Sequence, residues 1–174
     1  MPKLRFKRDR VTLEEANEMI EKADSRMKRA LVAFLYLTGC RISEALDVER
    51  KDLREEGNIL YIRIPVLKRE LGYDHVLPIG KESPFIKYLY AHAKHVKEGR
   101  LFPINRFKAW RILHNLNPDV WPHSFRHNRT NVIIGEGGTP LQLQIWMGWK
   151  LLGTADEYVK KSPHLIIDLA HKVK

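Results

Sequence analysis

The sequence predicts one mostly helical α+β domain with a small antiparallel sheet. Three observations lead to this class. The chain has 174 residues, a length that suits a single domain. Apolar residues recur at helical spacing along most of it, between residues that favour helix ends. Between residues 58 and 79, two short segments rich in β-branched side chains stand on either side of a polar turn.

Capping residues mark the predicted helices. Thr12 and Glu15 have the spacing of a capping box, which predicts a helix as far as about Lys22. Gly39 is expected to end the second helix, because glycine readily adopts the left-handed conformation found after a helix. Beyond the first helix, we expect helices over residues 25–37, 42–48, 84–96, 105–116, 123–134, 140–147, 155–160 and 163–173.

Two strands are predicted in the middle of the chain. Asn58–Ile64 alternates in polarity and is rich in β-branched residues, and His75–Ile79 is the second such segment. The polar stretch Lys68–Asp74, which contains Gly72, is expected to form the turn between them. The two strands would therefore pair as an antiparallel hairpin.

The composition indicates a polyanionic partner. Lys and Arg number 31 against 21 Asp and Glu, a formal net charge of +10. Nucleic acid is the first candidate for such a balance, and a soluble enzyme whose charge only aids solubility is the alternative. Cys40 is the only cysteine, which excludes an internal disulfide and disfavours a cysteine-based zinc site. No apolar stretch approaches the ~20 residues that span a bilayer, and an intracellular protein is expected.

The first candidate motif is an arginine directly after a helix-ending glycine. Arg41 would be held at a sharp bend, and Glu44, three residues later, could contact its guanidinium. An ordinary surface ion pair is the alternative for these two residues taken alone.

The second candidate motif pairs a histidine with an arginine. His123 and Arg126 are three positions apart, so a helix places both on one face, where they could hold two oxygens of one phosphate. His127 lies four positions after His123, a spacing that also suits metal ligands. A zinc protease pattern needs Glu directly after the first histidine, but Ser124 stands there, so we expect no metal.

Two further segments gain meaning only from their order in the chain. Trp149, preceded by a glycine, is followed nine positions later by Tyr158. Lys68 and Arg69 lie in the predicted turn of the hairpin. A tryptophan near a tyrosine is usually core packing, and a lysine in a turn is usually only solvated.

In their order along the chain, these motifs are specific. From about Thr12 to Lys161, the chain resembles the tyrosine recombinases, also called the phage integrase family. Leu37–Leu46 resembles the first-arginine motif of that family, and His123–His127 resembles its His-x-x-Arg box. Trp149 matches a position that is usually His and sometimes Trp, and Tyr158 lies at the spacing of the nucleophile.

The resemblance implies that the chain cleaves and rejoins DNA strands with no cofactor. Tyr158 would attack a backbone phosphate and form a 3′-phosphotyrosyl link. Arg41 and Arg126 would stabilise the negative charge of the transition state, since each guanidinium is always charged and presents a planar fork of donors. His123 would be the base or a phosphate donor, and Lys68 would protonate the leaving 5′-oxygen.

The resemblance also implies supporting roles. Trp149 would donate its indole N–H to a phosphate oxygen, and Glu44 would orient Arg41 or His123. The residues expected to contact DNA outside the catalytic set are Arg69 and Lys150.

Double-stranded DNA is the implied partner, with self-association into a tetramer on it. Residues 1–11 would be a basic arm, and residues 162–174 a helical tail that is either exchanged between protomers or folded back on its own core. The chain begins where the family's catalytic domain begins, so the N-terminal core-binding domain is expected to be absent. The cytoplasm of a prokaryotic cell, or a virus or mobile element, would be the setting.

Two rival functions fit the same residues. One is a catalytically silent DNA-binding protein on this fold, and the other is a type IB topoisomerase-like or end-resolving relative. Integration, excision and chromosome dimer resolution all stay open as the biological task.

Overall fold

The computed structural model describes residues 10–65, 74–150 and 153–154. In these ranges, seven α-helices accompany one three-stranded antiparallel sheet, which confirms the predicted α+β class. The helices are α1 (Leu13–Lys22), α2 (Arg26–Thr38), α3 (Ile42–Asp47), α4 (Ile86–Ala93), α5 (Arg106–Leu116), α6 (Pro122–Gly135) and α7 (Pro140–Met147). The strands are β1 (Leu53–Glu56), β2 (Ile59–Arg63) and β3 (Val76–Gly80).

Helix α2 lies at the centre of the core. Every residue from Ala30 to Thr38 is buried, and the helix packs against α1, α4 and α6. The Phe34 ring meets Phe102 edge to face, with centroids 5.5 Å apart. Full burial of such an aromatic side chain stabilises a fold by about 1.5–3 kcal/mol. The C-terminal end of α2 is therefore a fixed point in the molecule.

Caps begin and end the helices as the sequence predicts. Thr12 Oγ1 accepts from the Glu15 N–H at 3.1 Å, and the Glu15 carboxylate accepts from the Thr12 N–H at 3.0 Å, which is a capping box. Ser25 and Asn105 cap α2 and α5 through their side-chain oxygens. Gly39 ends α2 in the left-handed conformation, at φ 63°.

The sheet contains one strand that the sequence analysis missed. β2 pairs with β3, as predicted, and its other edge pairs with β1, where Leu53 lies opposite Ile62. Three of the four β1 residues are charged and exposed, so the segment lacks the apolar alternation that marks a strand. Charged side chains are common on edge strands because they discourage pairing with other chains.

Most element boundaries lie within one or two residues of the predicted ones, and two differences are instructive. β3 begins at Val76, one residue after His75, although the His75 carbonyl still accepts from the Ile64 N–H at 2.7 Å. The helix expected to reach Val96 ends at Ala93. Beyond it, the Val96 N–H bonds to the carbonyl three residues back, at 3.1 Å, so the last turn has 3₁₀ spacing.

Several predicted segments lie outside the described residues. These are the helices at 155–160 and 163–173, the tail at 162–174, and most of the N-terminal arm and of the hairpin turn. None of the helices that the structure does describe is both long enough and apolar enough to cross a membrane.

Gly39 allows a close approach between α2 and α6, and Gly39→Ala tests its importance. A Cβ on this residue would lie 2.5 Å from the Cβ of Arg129, and its φ of 63° is strained for an L side chain. We expect the substitution to lower the free energy of unfolding by about 2–4 kcal/mol, measured by urea denaturation.

Gly57→Ala is the matched control. Gly57 also has a positive φ, 55°, but a Cβ there would meet nothing within 4 Å. The Gly57→Ala variant should lose only about 1 kcal/mol of its free energy of unfolding, which is the cost of a positive φ for alanine. Equal losses of stability in the two variants would show that the close approach of Arg129 does not restrict the side chain at position 39.

Candidate active site

A cavity of about 890 Å³ opens where the turn from α2 into α3 meets the beginnings of α5 and α6. Of the residues that the sequence analysis selected, Arg41, His123 and Arg126 line it. These three residues are far apart in the sequence, and the fold brings them to one place.

A buried carboxylate holds Arg41 at the N-terminal end of α3. Glu44 Oε2 accepts from the Arg41 backbone N–H at 2.9 Å, and Oε1 accepts from Arg41 Nη1 at 3.1 Å. The Glu44 side chain is 8% exposed, whereas that of Arg41 is 43% exposed. One carboxylate therefore fixes both the backbone and the guanidinium of Arg41, and leaves the cation facing the cavity.

Arg126 is held in a different way, by the ends of two helices. Its Nη1 donates to the carbonyl of Gly39 at 3.1 Å, and its Nη2 donates to the carbonyl of Met147 at 2.8 Å. Gly39 caps α2, and Met147 is the last residue of α7. The residue is only 5% exposed, so these bonds fix a buried guanidinium between α2, α6 and α7.

Trp149 packs beside this buried arginine. It is 8% exposed and belongs to a small core cluster with Ile134, Leu143 and Met147. Its ring centroid lies 5.7 Å from Cζ of Arg126. The chain reaches this position through Gly148, which ends α7 in the left-handed conformation at φ 62°.

His123 lies in the first turn of α6 and is exposed. Its ring meets His127 edge to face, with centroids 4.6 Å apart. The N-terminal end of a helix carries a partial positive charge, so this turn favours an anion in the cavity. His123 is thus placed where a phosphate would be attracted by a helix end and by two arginines.

Trp146 joins the elements that surround Arg126. Its indole Nε1 donates to the Thr38 carbonyl at 3.0 Å, and the Arg129 guanidinium lies 4.6 Å above its ring. The Trp146 carbonyl lies 2.8 Å from Nε2 of His75, just before β3. Burial lowers the pKa of Arg129 from its usual value. The end of α2, α6, α7 and the base of the hairpin therefore meet at one residue, Trp146.

Several predicted residues are not part of this described geometry. Lys68, Arg69 and Tyr158 lie outside the described residues, so their placement stays a prediction. Lys150 is exposed directly after Trp149, and its carbonyl lies 3.4 Å from Nε2 of Gln144. Within the described ranges, no group of three or more His, Cys, Asp or Glu side chains could hold a metal ion.

The sequence analysis missed one side of the cavity. Arg106, Phe107 and Trp110 from α5 line it, together with Trp121, which precedes α6. The segment 106–111 contains three cationic and two aromatic residues, a composition typical of nucleic-acid binding. That signal was available in the sequence, but only the fold shows that it lies beside the arginines.

The chain matches the model of the phage integrase family over residues 9–164. It belongs to the phage integrase family. The predicted identity, a catalytic domain of the tyrosine recombinase group, is thereby confirmed. A curated relative, tyrosine recombinase XerA of Saccharolobus solfataricus, is 27% identical over 173 residues, which cover 97% of this chain and 56% of that protein.

Solved structures share the fold. A crystal structure of XerA recombinase has a TM-score of 0.72 and 20% identity, and the match covers 94% of this chain and 62% of that one. A XerH site-specific recombinase in a post-cleavage complex with a palindromic difH substrate has a TM-score of 0.72 and 19% identity. That match covers 91% of this chain and 50% of the XerH chain. The chain spans about half the length of the curated relatives it matches.

Cys40, which also lines the cavity, should be unreactive in the folded protein. Burial raises the pKa of its thiol to about 12, and Thr38 Oγ1 lies 3.3 Å from Sγ. Only the thiolate attacks disulfide reagents. At pH 8 we expect the native thiol to react with Ellman's reagent at least about a hundredfold more slowly than the urea-unfolded thiol.

Because Cys40 is the only cysteine, absorbance reports this one residue. A Cys40→Ala chain gives the background. Native and unfolded rates within tenfold of each other would mean that solvent and reagent reach the thiol through the cavity.

Proposed function

We propose that this chain cleaves and rejoins double-stranded DNA at specific sites, with Tyr158 as the nucleophile. The observation that carries the proposal is the convergence of Arg41, His123 and Arg126 on one cavity, in a member of the phage integrase family. The net charge of +10 suits a polyanionic substrate.

The two arginines suit a phosphate whose charge grows in the transition state. Arg126 is fixed by two carbonyls and Arg41 by one carboxylate, so neither needs to reorganise when the charge develops. Fixed donors in a partly dehydrated site stabilise an anion more strongly than mobile ones in water. Removal of one such donor costs roughly 3–4 kcal/mol in acyl-transfer enzymes, and we expect a comparable loss here.

The reaction is a pair of transesterifications. The Tyr158 oxygen attacks phosphorus, and the bond from phosphorus to the 5′-oxygen breaks, which leaves a 3′-phosphotyrosyl link. His123 takes the phenolic proton or binds a phosphate oxygen, and Lys68 protonates the leaving 5′-oxygen. A second 5′-hydroxyl then attacks the link and releases the tyrosine. The phosphodiester energy is conserved, so no nucleotide cofactor is consumed.

The remaining predicted residues support these steps. Glu44 positions Arg41 through the contacts described above. Trp149 donates its indole N–H to a phosphate oxygen and packs beside Arg126. Arg69 and Lys150 bind the DNA backbone.

We infer that the assembly on DNA is a tetramer, in the cytoplasm of a prokaryotic cell or on a mobile element. The XerH site-specific recombinase structure holds a palindromic difH substrate. Cationic contacts to phosphates release counterions, so DNA binding by this chain should weaken steeply as salt rises.

Tyr158→Phe tests the nucleophile. Duplexes that the chain binds are first selected from a randomised library, then nicked so that cleavage releases a short fragment and traps the covalent product. We expect the wild-type chain to give a covalent protein–DNA band on a denaturing gel. Tyr158→Phe should give none while binding the duplex with an affinity within about twofold, because only the attacking oxygen is removed.

Tyr88→Phe is the control, because it removes the same hydroxyl group at a tyrosine that does not line the cavity of Arg41 and Arg126. Tyr88 lies on α4, beside a separate groove that α1 also lines. The variant should keep the band. A covalent band that persists in Tyr158→Phe would exclude Tyr158 as the nucleophile. Binding without any band in the wild-type chain would favour the silent DNA-binding rival.

Glu44→Gln tests the positioning of Arg41. The amide keeps the size of the side chain but loses the charge that holds the guanidinium. We expect the single-turnover cleavage rate to fall by about tenfold to a hundredfold, with little change in DNA affinity.

Glu15→Gln is a matched control, since Glu15 also closes a capping box by accepting a backbone N–H. It should leave the cleavage rate unchanged. If both variants lost the same stability and neither changed the rate, Glu44 would act only as a helix cap.

A further inference from the structure

Phe107 is the most exposed of the large apolar side chains that the structure describes. It lies at the second position of α5 and is 65% exposed. A single exposed apolar residue is ordinary on a protein surface. Its neighbours make this one unusual.

A row of rings holds Phe107 in place. Its ring stacks on Trp110 with centroids 6.2 Å apart, and Cζ of Arg111 lies 5.9 Å from its centroid. Trp110 also stacks on His114 at 4.9 Å and contacts Trp121 at 6.0 Å. The exposed ring is therefore preorganised, so little side-chain entropy is lost when a ligand meets it.

Cations surround this row on the surface of α5. Arg106, Lys108 and Arg111 are exposed, and none of them forms an ion pair with another described residue. Phe107 lines both the active-site cavity and a second cavity of about 680 Å³, which Lys22 also lines. An apolar ring between cations matches a surface that binds phosphates on its flanks and a base edge at its centre.

We propose that the N-terminal half of α5 enters the DNA major groove beside the cleaved phosphate, and that Phe107 contacts the 5-methyl group of a thymine there. The major groove is about 12 Å wide and admits one helix, whose N-terminal residues reach the base edges. Because this contact requires duplex DNA at the cavity, it rests on the proposed function and deepens it.

Thymine is the base that an apolar ring selects. The other three bases lack this methyl group, and a phenyl ring over their hydrogen-bonding groups in the major groove would dehydrate those groups without replacing their bonds. The thymine methyl group has no such bonds to lose. Arg106 and Lys108, on either side of Phe107, are placed to bind the phosphates of the same groove.

The position of the thymine follows from the cavity. Phe107 lines the same cavity as Arg41 and Arg126, which are proposed to hold the cleaved phosphate. The thymine therefore lies within a few base pairs of the cleavage point. Phe107 would be a specificity-determining residue that takes no part in the chemistry.

The experiment compares site selection by the wild-type chain and by Phe107→Ala, using a randomised duplex library with sequencing of the bound fraction. We expect the wild-type chain to enrich a thymine at one position near the cleavage point, and Phe107→Ala to lose that preference alone. Replacing this thymine by uracil, which lacks only the methyl group, should weaken wild-type binding by about threefold to tenfold. The same replacement should not change binding by Phe107→Ala.

Leu13→Ala is the control. Leu13 is 44% exposed on α1, so its truncation also removes exposed apolar surface, but it lies outside the active-site cavity. This variant should keep the full uracil effect. Urea unfolding of each variant checks that the fold is intact.

Two outcomes would overturn the inference. If uracil and thymine bind the wild-type chain equally, or if Phe107→Ala keeps the uracil effect, Phe107 makes no methyl contact. If the wild-type chain instead prefers a mismatched or unpaired base and Phe107→Ala does not, the ring stacks on that base. The inference that Phe107 contacts a thymine methyl group in the major groove would then be wrong.

The covalent gel separates this inference from the proposed function. Phe107→Ala should still form the Tyr158-dependent band at saturating protein. Loss of that band in the wild-type chain would contradict the proposed cleavage but would leave the base preference measurable.

Discussion

Two hydrogen bonds from the Arg126 guanidinium to backbone carbonyls are the constraint on which the described part of the site depends. They join the carbonyl of Gly39, after α2, to that of Met147, at the end of α7, while Arg126 itself belongs to α6. Carbonyls at a helix end have no partner within the helix, and they carry the negative end of the helix dipole. A cation placed between two such ends satisfies both of them.

This arrangement explains why the sequence places glycine after both helices. Gly39 and Gly148 adopt left-handed conformations at φ 63° and 62°, and each turns the chain sharply. Because α2 stops at Gly39, Arg41 caps the start of α3 only two residues after the carbonyl that Arg126 binds. Because α7 stops at Gly148, Trp149 packs next to the same guanidinium. One buried cation and two glycine turns therefore place three of the predicted site residues together.

Features set by neighbouring residues could be predicted from the sequence, whereas features set by contacts between distant segments could not. Thr12 and Glu15 defined the start of α1 because a capping box is local, and Gly39 defined the end of α2 for the same reason. β1 could not be predicted, since its charged segment becomes a strand only by pairing with β2. The motif order selected Arg41, His123 and Arg126 through resemblance, but the carbonyls that hold Arg126 belong to other elements. No spacing in the sequence discloses such a contact.

The residues that we propose to bind phosphate and the aromatic row on α5 would meet different requirements of a site-specific reaction. A set such as Arg41, His123 and Arg126 can hold any backbone phosphate, because phosphates are the same at every step of DNA. Selectivity must come from groups that touch bases or respond to DNA shape. Among the described residues, the exposed ring of Phe107 is an apolar group that shares the cavity with the arginines. A base contact so close to the cleaved phosphate would couple recognition to chemistry, since a poorly fitting base pair would also displace the phosphate from its two cations.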